Sequence, residues 1–260
     1  MIRQPYHLVQ LSPWPLTSAL AAMAMFTALG DWFYTKNLTP LLLAISLILL
    51  NMYMWWRDIV RESTYMGKHT TTVVTGLKAG MILFISSEAV FFAGFFWAFF
   101  HSSLAPAVEI GCSWPPLAVS PIDPFSVPLL NTAILLSSGI TVTWAHHALL
   151  ENNKQDINIA MYMTIFLGMY FTFLQAQEYM SATFSIADSV FGSTFYVATG
   201  FHGLHVLVGT SALLISFLRI KQMHFTQAHH FGFEASIWYW HFVDVIWIFL
   251  YICIYWWGSM

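Results

Sequence analysis

MILFISSEAVFFAGFFWAFF, residues 81–100, carries a single ionisable side chain, Glu88. About 20 apolar residues, rising about 1.5 Å each, cross the roughly 30 Å hydrocarbon core of a bilayer. The stretch therefore reads as a membrane-spanning helix with a carboxyl group held inside it. A charged group at mid-membrane costs about 2.5–3.5 kcal/mol on insertion scales. A chain that keeps such a group is expected to use it.

The rest of the chain shares this character. Its 260 residues are 58% hydrophobic and 18% aromatic, and only 8% are charged. Soluble domains carry about 25% charged residues, so an integral membrane protein is expected. Further apolar runs put spans at 14–34, 40–56, 78–101, 128–150, 157–179, 190–218 and 233–257. The expected fold is all-α, with seven transmembrane helices. Prolines near several starts fit a first turn, where a missing N–H costs nothing. Trp14, Trp55, Trp56, Trp256 and Trp257 fall near span ends, as an interfacial aromatic belt requires.

Seven spans leave the termini on opposite sides, and the cations orient them. Arg3, Arg57, Arg61, Lys68, Lys78, Lys154, Arg219 and Lys221 fall on the N-terminal side, and Lys36 alone falls on the other. The positive-inside rule then puts the N-terminus in the cytoplasm-like compartment. The N-terminal residues read as neither a secretory signal nor an Arg/Ser-rich transit peptide, so insertion where the chain is made is expected. The longest basic-side connection divides the chain into residues 1–57 with two helices, a connection at 58–77, and a five-helix bundle at 78–260. A net charge of −3 gives no reason to expect a nucleic-acid partner, and Cys112 and Cys253 form no metal-binding or disulfide pattern.

On the helical face of Glu88 lie Phe84, Phe91, Phe92 and Phe95. A carboxyl group in such surroundings needs a partner or must stay neutral. Counted at 1.5 Å per residue, Glu88 lies about 15 Å from the basic side, as does Asp244, with His241 one turn shallower and His205 about 21 Å deep. Glu88, His205, His241 and Asp244 are therefore expected to share one layer, as a buried polar cluster joining the third, sixth and seventh helices. His202 and His205 stand at i and i+3, the spacing of two metal ligands, though hydrogen bonding between helices is the commoner use. The doublets His146–His147 and His229–His230 each point about 100° apart, so neither chelates one ion by itself. From composition and depth, a proton carrier using Glu88 and a metalloenzyme using His202 and His205 stay open beside a packing role. No P-loop, dinucleotide fingerprint, nucleophile elbow or paired haem-ligand pattern occurs.

Several segments are long enough to compare with a known family: QLSPWPLTSAL, WWRDIVRES, FISSEAVFFAGFFWAFFHSSLAP, FGSTFYVATGFHGLHVLVGT and HHFGFEASIWYWHFVDVIWIFLYICIYWWGS. Together with WPPLAVSPIDPFSVPLLNTAILLSSGITVTWAHHALLE, they resemble cytochrome c oxidase subunit III in its mitochondrial form. The resemblance implies two-helix and five-helix bundles around a lipid-holding cleft. It also implies a non-redox core subunit of respiratory complex IV, an inner-membrane protein with its N-terminus in the matrix and its C-terminus in the intermembrane space. Subunit I would be the main contact, haem a and copper would sit in partner subunits, and a respiratory supercomplex is among the implied assemblies. By motif, Glu88 matches the family's buried reactive carboxyl. Trp55, Trp56, Arg61, Glu62, His69, Arg219 and His224 match positions that hold the headgroups of structural phospholipids, whether cardiolipin, phosphatidylglycerol or phosphatidylethanolamine. Ser181, Ala182, Thr183 and Phe184 stand where the family often has Glu-Ala-Pro-Phe, which predicts a looser outer loop.

Overall fold

A computed structural model describes residues 4–117 and 119–260; Arg3 of the basic set lies outside them. Among the described residues there are seven long helices and no strand. They are α1 (Trp14–Thr35), α2 (Thr39–Thr64), α3 (Thr71–Leu104), α4 (Val127–Leu150), α5 (Lys154–Ser181), α6 (Ser189–Lys221) and α7 (Phe231–Leu250). The last continues as a π-helical turn, Tyr251–Trp256, and a 3₁₀ turn, Trp257–Ser259. All seven are long and apolar enough to cross a membrane.

Local chemistry sets the ends. Proline stands in the first turn of α1, α2 and α4, where its fixed φ suits the helix. Lys36, with φ 59°, closes α1 in the left-handed conformation and donates its N–H to the Trp32 carbonyl. Asn153 caps α5 by accepting from the Asp156 N–H at 3.3 Å. Arg219 and Lys221 lie in the last turn of α6, where cations suit the helix dipole.

The expected connection at 58–77 is mostly helical. α2 runs on to Thr64 and α3 begins at Thr71, so only 65–70 lie between them. Hydropathy marks the hydrocarbon layer alone, whereas a helix satisfies its own backbone and can continue into the headgroup zone. An Asp58–Arg61 pair at i and i+3, with 3.7 Å between charges, supports that extension.

The chain divides into two compact units, Met1–Leu77 and Lys78–Met260. In the first, α1 and α2 pack side by side with only three buried apolar residues in the pair, Ala21, Ala28 and Ala44. Polar links join them instead: Thr17 Oγ1 donates to Asn51 Oδ1 at 2.6 Å, and Trp14 Nε1 donates to Asp58 Oδ2 at 2.7 Å.

In the second unit, α4 packs on α5 and α7, and α6 packs on α5 and α7. Trp240, fully buried, locks the four together. Its indole lies so close to Gly168 of α5 and Gly209 of α6 that a Cβ at either would meet it at 2.8 Å. Its Nε1–H donates to Ser138 Oγ of α4 at 2.9 Å. Lipid tails are as apolar as leucine, so close packing and interhelical hydrogen bonds hold such a bundle. The part of α3 in this unit joins through rings: Phe92 meets Phe242, Phe96 meets Phe249, and Phe99 meets Trp257, at 6.0–6.2 Å between centroids.

The outer loop is held firmly, against the expectation of looseness. Phe184 is buried against Phe191, Phe195 and Tyr196, and its carbonyl accepts from Tyr196 Oη at 2.7 Å.

Candidate functional site

Glu88 and His205 meet. Glu88 Oε2 of α3 lies 2.8 Å from His205 Nε2 of α6. The other ring nitrogen, Nδ1, lies 2.6 Å from the Phe201 carbonyl one turn earlier. A carbonyl oxygen only accepts, so Nδ1 carries a hydrogen. The short Glu88–His205 bridge then needs one further proton, on either the carboxyl or Nε2. With the proton on Glu88, two neutral groups meet; with it on His205, an imidazolium meets a carboxylate. The pair has zero net charge in both forms, which lets it sit inside a membrane. Rings enclose it: Phe92 lies 5.0 Å from the imidazole, Tyr239 6.1 Å and Phe242 6.4 Å. Ser86 and Ser87 donate to their own helix at Ile82 and Phe84 and take no part.

His241 and Asp244 lie elsewhere. At 100° per residue, 239 and 242 share one side of α7 while 241 and 244 share the opposite side. Tyr239 and Phe242 face His205, so His241 and Asp244 face α4. Asp244 Oδ2 lies 3.9 Å from His241 Nδ1, too far for a hydrogen bond. His241 Nε2 lies 3.2 Å from Thr143 Oγ1 of α4. Among the described residues no hydrogen bond or ion pair joins the two acid–imidazole pairs. Depth along a helix is readable from residue counts; the direction a helix faces is not.

His202 is fully buried, with Nε2 3.2 Å from the Val243 carbonyl and its ring against Phe171 and Trp247. His202 and His205 thus serve different partners and form no chelate. Among the described residues, no group of three or more His, Cys, Asp or Glu is placed to hold a metal ion.

The basic-side residues fall in both units. In the first, Trp55, Arg61, Glu62 and His69 line a groove of about 440 Å³ with His7, Trp14 and Asp58, whereas Trp56 does not line it. His7 Nε2 approaches Glu62 Oε2 at 3.1 Å, and the His7 and His69 rings meet edge to face at 5.4 Å. Asp58 takes bonds from Trp14 and from Arg57 Nε and Nη2. In the second unit, Arg219 stacks its guanidinium over Phe225 at 4.2 Å, and its carbonyl accepts the His224 N–H. Burial, and then the Arg219 charge, hold the His224 imidazole below its ordinary range. Lys78 and Glu234 close the basic end of α3 on α7 at 2.7 Å.

Sequence reasoning missed two arrangements. His146 Nε2 and His230 Nε2 stand 3.2 Å apart, one from each histidine doublet. The doublets are far apart in sequence, and nothing local announces their meeting. Towards the other membrane face, Asn131 Nδ2 donates to Gln175 Oε1, and Gln175 Nε2 and Tyr255 Oη donate to Glu178 Oε1 at 3.0 and 2.6 Å. Tyr255 belongs to the π-helical turn. The available signal was three polar residues inside apolar helices, with Gln175 and Glu178 at i and i+3.

Comparison with known proteins finds a family-wide match. The family described as cytochrome c oxidase subunit III matches residues 4–259. A protein named cytochrome c oxidase subunit 3 from Lumbricus terrestris is 63% identical, and the match covers 100% of each chain. Its namesake from Heterololigo bleekeri is 60% identical, again over 100% of both. The one from Patiria pectinifera is 62% identical over 99% of both.

Proposed function

The chain belongs to the cytochrome c oxidase subunit III family, and on that premise we propose how its own residues serve the oxidase. As a subunit of that complex it is a multi-pass protein of the mitochondrial inner membrane. The N-terminus lies in the matrix and the C-terminus in the intermembrane space; the cation asymmetry supports this orientation. The first unit corresponds to the two-helix bundle and the second to the five-helix bundle, and the chain holds structural phospholipids. Trp55, Trp56, Arg61, Glu62, His69, Arg219 and His224 serve their headgroups. Two observations support this: a groove of fitting size lined by four of them, and a cation–aromatic pair at Arg219. A headgroup phosphate near such cations gains about 1 kcal/mol per charge.

The chain takes no part in redox chemistry: haem a and copper belong to partner subunits, and subunit I is the main contact. Its contribution is to support proton uptake by that catalytic subunit and to keep turnover from inactivating it. The observation that carries this reading is the one-proton bridge between Glu88 and His205. A pair that can move a proton over 2.8 Å without acquiring net charge can tighten or loosen α3 against α6 as proton traffic nearby changes. It binds no substrate and is not a conduction path.

The test uses the assembled oxidase with Glu88→Gln and Glu88→Ala. Glutamine donates its amide to His205 Nε2 and keeps the bridge, so assembly and turnover stay near wild type. Alanine leaves His205 unpaired, and the oxidase inactivates sooner during sustained turnover and takes up protons more slowly. Loss of the assembled complex in Glu88→Gln would overturn the reading.

A further inference from the structure

Among the described residues, the Asp244 side chain makes no hydrogen bond. It is 6% exposed, its Oδ1 is buried without a hydrogen-bond partner, and the nearest imidazole nitrogen is 3.9 Å away. It nevertheless opens onto space: a groove of about 590 Å³ runs between α4 and α7, walled by Leu136, Ile140, Val245 and Ile248. Gly139 makes room for the carboxyl group, since a Cβ there would meet Asp244 Oδ2 at 2.7 Å.

The wall of this groove leaves the carboxyl without a partner. The single hydroxyl hydrogen of Thr143 goes to the Gly139 carbonyl at 2.9 Å. The 3.2 Å contact between Thr143 Oγ1 and His241 Nε2 therefore uses a hydrogen on Nε2. Neutral His241 then presents a bare Nδ1 towards Asp244. No side chain of the groove wall bonds Asp244 Oδ1, so its carboxyl lacks a partner whether it is ionised or carries a proton.

Depth limits what can fill it. Asp244 is thirteen residues past Phe231, about 20 Å along a membrane-spanning segment of 29 residues. Headgroups do not reach that level, and acyl chains carry no donor. In hydrocarbon an unsatisfied polar group costs several kcal/mol, and the family's members work inside a complex of membrane subunits.

We propose that the α4/α7 groove seats a transmembrane helix of another oxidase subunit, one that presents a hydrogen-bonding side chain to Asp244 at mid-membrane. That side chain is a hydroxyl, amide, indole or cation. Ile140 and Val245, 72% and 49% exposed, flank the seat and complete the apolar contact.

The experiment uses the whole purified oxidase. Val245→Cys on one wall, and Ile140→Cys on the other, are labelled with a maleimide–benzophenone and irradiated. Crosslinked peptides are mapped by mass spectrometry, and labelled wild type is used to subtract signal from Cys112 and Cys253. The expected adduct is on a spanning helix of a different subunit, within one turn of a donor side chain. Adducts with lipid alone, with this chain alone, or with a second copy of it overturn the proposal. Independently, Asp244→Leu is expected to lower retention of the chain through a detergent wash by about fivefold to tenfold, from the loss of one interhelical hydrogen bond. Asp244→Asn, which still accepts, retains most of it. Equal retention of Asp244→Leu and wild type also overturns the proposal.

Discussion

Two acid–imidazole pairs lie at similar depth in this bundle, and they have opposite characters. Glu88–His205 is closed: one proton bridges it, a carbonyl fixes the ring, and aromatic side chains surround it. Asp244–His241 is open: its partners stand too far apart to bond, and its carboxyl borders a groove. Residue type and depth are nearly the same in the two. What differs is which helix each pair faces and which polar groups stand there. An intramembrane carboxyl group is thus a demand for a hydrogen-bonding partner, met within the chain in one case and referred outward in the other.

The harshest way to break the contrast is His205→Leu. It strands Glu88 without its partner, and in hydrocarbon an unsatisfied polar group costs several kcal/mol. The temperature at which this subunit leaves the oxidase is expected to fall steeply. An unchanged temperature would mean that Glu88 is content alone.

Gly139→Ala attacks the open pair. A methyl group meets Asp244 Oδ2 at 2.7 Å, and overpacking of this kind costs about 1–3 kcal/mol. The double variant with Asp244→Ala should recover most of the loss, because the two changes share one contact. Additive losses in thermal dissociation would show that the glycine serves some other neighbour.

Glu88→Gln sharpens the contrast by its mildness. Its carboxamide can occupy the bridge as donor, so the same dissociation temperature should move by less than the equivalent of about 0.5 kcal/mol.

The smallest effect belongs to His224, outside the spans. Its depressed imidazole means that the folded protein holds fewer protons than the unfolded chain just below 6.5, the ordinary value. Its stabilising contribution is therefore present above that value and is lost as pH falls below it. Limited proteolysis of the segment after α6 should speed up on acidification, and His224→Gln should flatten that dependence.

Much of the architecture was legible because hydropathy is local. Each span announces itself by twenty or so consecutive side chains, and the seven helices lie where those runs are. The end of α2 was out of reach because Arg57, Asp58, Arg61 and Glu62 lower hydropathy without breaking a helix, and the start of α3 because Thr71, Thr72 and Thr75 do the same. The Glu88–His205 meeting was within reach of depth counting, since both residues lie near mid-span. His146–His230, and the turn of His241 and Asp244 towards α4, were not, because both depend on how helices rotate against one another.

The sequence by itself determined that this chain lives in a membrane, crosses it seven times and keeps a few polar groups inside. Each of those properties is carried by neighbouring residues and by the energy of moving them out of water. Only the tertiary structure decided which polar group meets which. The facing of a helix is set by packing: Trp240 seated against two glycines, and rings of α3 against those of α6 and α7. Such packing terms arise between residues distant in the chain, where no single stretch of sequence holds both partners.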